Sequence, residues 1–232
     1  MRAAAPPLPD HLPPDHLSPD RLPARRLPAN AWVVPATAIG ALLPLLLLVS
    51  DFFTGLLGAN PLQRAEQQTG VLALSLLLLS LSTTPLRLIA GALGQRLLWP
   101  ARVRKTLGLT GALYAGVHLL IYGLDRGFNP LSFLTDVLKR PYITVGLSAL
   151  LLLVPLVLTS RKDSVRRLGF GRWTRLHRLS YAVAALGVLH FWWSVKKDHT
   201  GPVIALVVLL VLFGVRLVLQ RRTRARQRKA AV

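Results

Sequence analysis

The sequence contains no cysteine, and its single methionine is Met1. The absence of cysteine excludes disulfides, iron–sulfur clusters, thiol catalysis and covalently attached c-type haem. No thioether lies farther along the chain, so methionine cannot serve as an axial ligand inside the protein. Any metal or haem that the protein binds must therefore be held by nitrogen or oxygen atoms.

Charged residues are also scarce, because they make up only 16% of the 232 residues, whereas about 25% is usual in soluble domains. Hydrophobic residues make up 52%, and the mean hydropathy is +0.47. Acidic residues are the rarest charged type, with nine against 29 lysines and arginines, which gives a net charge of +20. This composition indicates a membrane protein rather than a soluble domain.

Six uncharged stretches are each close to the length of about 20 residues that an α-helix needs to cross a bilayer. They are residues 27–50, 67–86, 106–124, 141–160, 179–195 and 199–215. The sequence therefore predicts an all-α integral membrane protein, in which residues 31–220 form a bundle of six transmembrane helices.

Most basic residues fall in segments that would share one side of the membrane, namely residues 1–30, 87–105, 161–178 and 221–232. Few lie on the other side, namely Arg64, Arg126, Lys139, Arg140, Lys196 and Lys197. The positive-inside rule then places both termini in the cytoplasm. Anionic lipid headgroups suffice as partners for these cations, so we expect no binding to nucleic acid.

The two ends of the chain differ from the apolar middle. Residues 1–30 contain eight prolines and an imperfect Pro-Asp-His-Leu-Pro repeat, without a continuous apolar run. We expect a disordered cytoplasmic segment there and not a signal peptide. Its His11 and His16 could be read as metal ligands, but a solvated tail is the preferred interpretation. Residues 221–232 are expected to form a basic cytoplasmic tail.

The link between the third and fourth stretches, residues 125–140, mixes apolar and charged residues. It is long for a simple loop, and a short helix at the membrane interface fits this pattern. Pro141 follows at the expected start of the fourth span, where its missing N–H is tolerated.

Two histidines lie within the predicted spans, where ionisable side chains are costly and usually functional. His118 in the third span and His190 in the fifth are expected at the same depth, in the outer half of the bilayer. Two neutral imidazoles that face each other across a helical bundle are suited to be the axial ligands of a b-type haem. The alternative is that each imidazole simply bonds a backbone carbonyl.

A second site at the cytoplasmic level is an open alternative. His177 lies at the entrance of the fifth span, and Arg104 precedes His118 by 14 residues, which places it about 21 Å deeper on nearly the same helix face. A second haem would have His177 as one ligand, with Arg104 near its propionates or iron. Arg104 is equally well explained as one more cytoplasmic positive charge.

Several ordered segments resemble a known family. They are Gly-Ala-Asn-Pro-Leu (58–62), Thr-Gly (69–70), Thr-Pro-Leu-Arg (84–87), Arg-Lys-Thr-Leu-Gly-Leu (104–109), His-Leu-Leu-Ile-Tyr (118–122), Arg-Pro-Tyr-Ile-Thr-Val-Gly (140–146), Leu-Thr-Ser (158–160), Trp-Thr-Arg-Leu-His-Arg-Leu-Ser-Tyr (173–181) and His-Phe-Trp-Trp-Ser-Val-Lys (190–196). This pattern resembles MsrQ, the haem-binding membrane subunit of bacterial periplasmic methionine-sulfoxide reductases.

The resemblance implies a transmembrane fold of the ferric reductase and NADPH oxidase type, with haem b as cofactor. It implies that His118 and His190 bind the iron of the outer haem and that His177 belongs to an inner site. In that inner site the family has an arginine, here Arg104, in place of a fourth histidine. One haem is therefore the conservative count, with a second left open. The resemblance also implies FMN, to which no residue is assigned.

The resemblance further implies a role in electron transfer across the bacterial inner membrane. Electrons would come from the quinone pool or a cytosolic flavin reductase and pass to MsrP, a periplasmic molybdopterin enzyme that forms a heterodimer with MsrQ. MsrP would itself catalyse the reduction of methionine sulfoxide in oxidised periplasmic proteins. The chain has no Gly-x-Gly-x-x-Gly loop for its own dinucleotide, which agrees with a need for an external donor.

Three other functions are kept as alternatives. The chain could be a ferric reductase-like electron carrier with a different acceptor, a transporter in which the histidines relay protons, or a membrane anchor for a partner enzyme. In the preferred interpretation, the segments 51–66, 125–140 and 196–199 form the periplasmic surface that meets MsrP.

Overall fold

The structure of the protein is a computed structural model that describes residues 32–230, with residues 162 and 223–230 described by their backbone alone. These residues form nine α-helices and no strand. The helices are α1 (Val33–Phe53), α2 (Pro61–Ala92), α3 (Trp99–Asp125), α4 (Pro130–Lys139), α5 (Pro141–Leu158), α6 (Lys162–Leu168), α7 (Phe170–His177), α8 (Leu179–Ser194) and α9 (Thr200–Ala230).

Five helices of the described chain are long and apolar enough to cross a membrane: α1, α2, α3, α5 and residues Thr200–Arg222 of α9. The predicted fifth span corresponds to α8, which has 16 residues and is therefore about 24 Å long. That length falls short of a hydrocarbon core of about 30 Å. The all-helical membrane class is confirmed, whereas the count of six spans stays a prediction that depends on α8.

Two helices begin well before the uncharged stretches that predicted them. The second stretch was expected to begin at residue 67, but α2 begins at Pro61. The third was expected to begin at residue 106, but α3 begins at Trp99 and includes Arg104. Long basic side chains can reach the membrane surface from inside a helix end, so a charge does not mark the end of a helix.

The bundle is built around two helix pairs, α2 with α3 and α5 with α8. The pairs meet where α2 contacts α8 and α3 contacts α5, while α1 lies against α3, and α9 lies against α2 and α8. Tyr114 of α3 is fully buried, and its hydroxyl donates to the carbonyl of Ala41 in α1 at 2.9 Å. We call the end of the bundle that carries α4 the outer end, and the end that carries α6 and α7 the inner end.

The connection from α3 to α4 is a tight reversal. Gly127 has a φ of 62°, and the amide of Phe128 donates to the carbonyl of Gly123 at 2.8 Å, which closes a Schellman motif. Asn129 then caps α4, since its side-chain oxygen accepts from two amides of the first turn. The predicted short helix between the third and fourth spans is thus present, and Pro141 begins α5 as expected.

The structure describes the two ends of the chain only in part. Residues 1–30, for which we predicted disorder, lie outside the described residues, as do His11 and His16. The helix α9 continues to Ala230, into the segment 221–232 that we predicted as a basic tail. Large apolar side chains along α1 and α9, such as Ile39, Leu46 and Leu210, are exposed, as a surface facing lipid requires.

The close approach of α2 and α3 depends on Gly111 and gives a first testable prediction. A Cβ atom at Gly111 would lie 3.2 Å from the carbonyl oxygen of Ala73 and 3.1 Å from Leu77. Gly111→Leu should therefore destabilise the protein by about 1–3 kcal/mol, the usual cost of overpacking. The measurement is thermal unfolding of the detergent-solubilised protein, followed by circular dichroism.

Gly116→Leu is the matched control, because Gly116 lies in the same helix and a Cβ there would meet nothing within 4 Å. Its unfolding temperature should stay close to that of the wild type. Equal unfolding temperatures for the two variants would show that the α2–α3 contact is not as close as the structure has it.

Candidate functional site

Two histidines from different helices face each other near the outer end of the bundle. The rings of His118 in α3 and His190 in α8 have centroids 6.0 Å apart, and their planes are inclined by 82°. Both residues are partly buried. The sequence predicted a common depth for the two residues, and the structure makes them direct neighbours.

Both imidazoles are oriented by backbone carbonyls. Nδ1 of His118 lies 2.9 Å from the carbonyl oxygen of Glu66 in α2, and Nδ1 of His190 lies 2.7 Å from the carbonyl oxygen of Tyr142 in α5. Because a carbonyl can only accept, Nδ1 must carry the proton in each ring. Each Nε2 then keeps its lone pair, and no described residue forms a hydrogen bond with it. This arrangement is typical of histidines that bind a metal through Nε2.

A glycine lies beside each ring. A Cβ atom at Gly70 would lie 3.1 Å from the ring of His118, and one at Gly146 would lie 2.7 Å from Nδ1 of His190. In an α-helix, the carbonyl of residue i is directed toward residue i+4. Gly70 follows Glu66 by four residues, and Gly146 follows Tyr142 by four. The missing side chains thus leave room for each imidazole to reach its carbonyl.

The separation of the rings fits one metal atom between them. Two metal–nitrogen bonds of about 2 Å each, together with the distance from each nitrogen to the centroid of its own ring, give a separation of about 6 Å between the centroids. Among the described residues, no group of three or more His, Asp or Glu could hold a bare metal ion. A metal that a porphyrin already holds by four nitrogens needs only two axial ligands. The site therefore fits haem better than a free ion.

His177, the third predicted ligand, is engaged differently. Its Nε2 lies 3.1 Å from Oγ1 of Thr159, and that hydroxyl donates its single proton to the carbonyl of Pro155 at 2.6 Å. Nε2 of His177 must therefore be the donor. Trp173 stacks on the ring with centroids 4.1 Å apart. In this arrangement His177 does not offer Nε2 to a metal, in contrast to the two outer histidines.

Arg104 lies in the same inner region. Its Nη1 donates to Oγ1 of Thr84 at 3.0 Å, and its backbone carbonyl accepts from the hydroxyl of Ser80 at 2.9 Å. Burial, followed by the nearby charge of Arg104, lowers the pKa of His177. The two residues thus share a neighbourhood at the inner end, as predicted, but they do not form an axial pair like that of His118 and His190.

A second inner arginine, Arg216 of α9, was not singled out from the sequence. Its guanidinium lies over the ring of Tyr181, 4.7 Å from the centroid. The hydroxyl of Tyr181 is buried without a hydrogen-bond partner among the described residues. No described acidic residue forms an ion pair with Arg104 or Arg216. The chemistry of this region suits a carboxylate group, such as a porphyrin propionate.

An apolar groove of about 460 Å³ lies between α3 and α5 but is separate from the histidine pair. Leu109 and Gly116 belong to the face of α3 that lines it. His118 is nine residues beyond Leu109, so its side chain leaves the helix about 180° away. The groove therefore opens on the face of α3 opposite to the candidate site.

The sequence singled out the two outer histidines as candidate ligands but gave no indication of the residues that orient them. Glu66 and Tyr142 act through backbone carbonyls, which every residue has, so residue type gives no signal. Gly70 and Gly146 do carry a signal, because each lies within a segment that resembles the family, four residues after the carbonyl. Trp173, the first residue of the family-like segment 173–181, stacks on the ring of His177 in the structure.

The chain is similar to known proteins over most of its length. The family described as ferric reductase like transmembrane component matches residues 69–188. This range includes His118 and His177 and ends two residues before His190. The match confirms the fold class that the sequence resemblance implied.

Three curated relatives bear the name protein-methionine-sulfoxide reductase heme-binding subunit MsrQ. The protein of Deinococcus radiodurans is 54% identical over 78% of this chain and 88% of its own length. That of Rhodospirillum rubrum is 46% identical over 79% of this chain and 86% of its own length. That of Ralstonia nicotianae is 44% identical over 76% of this chain and 80% of its own length. The resemblance to MsrQ is thus confirmed.

Proposed function

The chain belongs to the MsrQ family of ferric reductase-like membrane proteins, and we propose that it is a b-type cytochrome whose haem is held by His118 and His190. The observation that carries this proposal is the pair of unprotonated Nε2 atoms on rings 6.0 Å apart. The names of the relatives, which are haem-binding subunits, support the same cofactor. The haem supplies a centre that takes up and releases one electron.

We further propose the direction of electron flow. The chain would take electrons from the quinone pool or a cytosolic flavin reductase and deliver them to a periplasmic molybdopterin reductase of the MsrP type. The relatives' name, which includes methionine-sulfoxide reductase, supports this acceptor. FMN is proposed on the family resemblance alone, and no residue is assigned to it. Sulfoxide reduction itself would take place in the partner.

The orientation in the bacterial inner membrane is also a proposal. The segments 87–105, 161–178 and 221–229 at the inner end contain most of the lysines and arginines of the described chain, and the positive-inside rule makes this the cytoplasmic side. Of the described acidic residues, only Asp163 lies at that end. The histidine pair would then be near the periplasm, where the outer segments 51–66, 125–140 and 196–199 would meet the reductase.

A second haem at the inner end remains an alternative within this proposal. Arg104 and Arg216 have no acidic partner among the described residues, and Tyr181 has a free buried hydroxyl, so these groups suit propionates. His177 would have to exchange its hydrogen bond with Thr159 for a bond to iron. We therefore propose one haem at the outer site, with an inner haem as the alternative.

Replacement of either outer histidine tests the cofactor. His118→Ala and His190→Ala should each abolish the low-spin absorption spectrum of the reduced purified protein, because one imidazole cannot maintain bis-histidine ligation. The pyridine haemochrome assay measures how much haem remains. His199→Ala is the matched control, since the ring of His199 lies beside that of Trp192 at the outer end and forms no hydrogen bond with His118 or His190.

Full retention of the low-spin spectrum in His118→Ala or His190→Ala would contradict the axial assignment. A colourless wild-type protein, purified from haem-replete cells, would instead favour the transporter or anchor functions.

Electron delivery is tested in proteoliposomes. The reduced wild-type protein should be reoxidised when an MsrP-type reductase and methionine sulfoxide are added on the outer side, as followed by the loss of the reduced haem spectrum. His190→Ala should transfer no electrons. A lack of reoxidation by a reductase that is active with a dye donor would contradict the proposed acceptor.

The glycine beside His190 gives a sharper test of the site. Gly146→Ala places a Cβ atom 2.7 Å from Nδ1 of His190, so the ring must tilt and its bond to the carbonyl of Tyr142 must weaken. We expect a shift in the low-spin spectrum and a loss of bound haem on dilution, measured by absorption spectroscopy. Gly40→Ala, where a Cβ would meet nothing within 4 Å, should behave as the wild type. Identical haem retention in both variants would contradict the tight fit.

A further inference from the structure

One carboxylate at the outer end connects α3, which carries His118, with the start of α5, whose Tyr142 carbonyl accepts from His190. Asp136 of α4 is only 7% exposed. Its Oδ2 accepts from the hydroxyl of Tyr122 at 2.5 Å and from Nη1 of Arg126 at 3.1 Å. Its Oδ1 pairs with Nε of Arg140 at 3.0 Å. A single side chain thus holds α3 through Tyr122 and the start of α5 through Arg140.

One series of contacts runs from Asp136 through Arg140 to His190. Arg140 is the N-cap residue of α5, without a capping bond from its side chain, and its Nη1 donates to the hydroxyl of Tyr142 at 3.3 Å. The carbonyl of Tyr142 is the group that accepts from Nδ1 of His190 at 2.7 Å. A second link holds the same turn, because Oγ1 of Thr144 donates to the carbonyl of Val137 in α4. The position of the acceptor carbonyl therefore depends on where α4 holds Arg140.

The other series of contacts runs from Asp136 through Tyr122 to His118. Tyr122 lies four residues after His118 in α3, so both side chains leave the same face of the helix, one turn apart. The bond from Tyr122 to Asp136 fixes the rotation of α3 at this turn. The rotation of α3 determines, in turn, how the plane of the His118 ring meets that of His190.

The carboxylate is suited to this function because it stays ionised. The hydrogen bond from Tyr122, followed by the charges of Arg126 and Arg140, lowers the pKa of Asp136. An ionised carboxylate only accepts hydrogen bonds, so all three donors are held at once. A surface ion pair that only fastened α4 would need neither the burial of the carboxylate nor its bond to Tyr122.

We propose that Asp136 is a positioning residue for both axial imidazoles and that it thereby sets their mutual angle and the reduction potential of the haem between them. This inference rests on the proposed function. Loss of the carboxylate would release Arg140 and weaken the bond between the Tyr142 carbonyl and His190. A weaker acceptor at Nδ1 makes an imidazole less basic, which favours the ferrous form and raises the potential.

The test is a redox titration and an EPR spectrum of haem-loaded Asp136→Asn. Rings inclined by 82° should give the wild type a highly anisotropic low-spin ferric signal. In Asp136→Asn we expect the spread of the g values to change and the potential to rise. Asp198→Asn is the matched control, because Asp198 is an outer acidic residue whose bonds go to Thr200 alone. This substitution removes one negative charge and leaves the bonds from Tyr122 and Arg140 to Asp136 in place.

Tyr122→Phe distinguishes the effect of imidazole orientation from that of a lost charge, since it removes one hydrogen-bond donor to Asp136 and leaves every charge in place. It should change the g values with a smaller change in potential. Unchanged g values in haem-loaded Asp136→Asn, or a potential shift no larger than that of Asp198→Asn, would overturn the proposal. If Asp136→Asn does not accumulate, unchanged g values in Tyr122→Phe overturn it. A wild type without haem would instead refute the proposed function itself.

Discussion

The structure depends on two hydrogen bonds from imidazole Nδ1 atoms to backbone carbonyls, one on each side of the bundle. Each bond fixes the tautomer of its histidine and leaves Nε2 with a free lone pair, on rings whose centroids are 6.0 Å apart. The same arrangement is built twice, by α2 with α3 and by α5 with α8. In both pairs, the acceptor carbonyl lies four residues before a glycine, Gly70 in one and Gly146 in the other. The site is therefore a property of helix packing, and it requires no irregular loop inside the membrane.

The sequence predicts much of this fold because apolar length and charge are determined by residue type. The helices α1, α3 and α5, the short helix α4 and the common depth of His118 and His190 all followed from those signals. The ends of the helices did not, because arginines can lie within a helix end and still reach water. The partners of the imidazoles could not be predicted either, since a carbonyl belongs to every residue and only packing decides which one a histidine meets.

The inner and outer ends of the bundle differ in a way that the spacing of the histidines does not reveal. His177 lies at the inner level predicted for a ligand, yet its Nε2 donates to Thr159 and Trp173 stacks on its ring. Arg104 and Arg216 supply positive charge without acidic partners among the described residues. The inner end thus offers charge complementarity to an anionic group, whereas the outer end offers two free lone pairs. This contrast is why the proposed haem is assigned to His118 and His190.

The outer end also carries nearly all the acidic residues of the described chain, and the most buried of them is Asp136. A buried carboxylate is costly unless strong donors surround it, and Tyr122, Arg126 and Arg140 meet that requirement. Tyr122 belongs to α3, which presents His118, and Arg140 precedes α5, whose Tyr142 carbonyl orients His190. The short helix α4 therefore joins the segment proposed to meet the electron acceptor to the groups proposed to ligate iron. A partner that displaced α4 would act on both imidazoles through one side chain, without entering the bilayer.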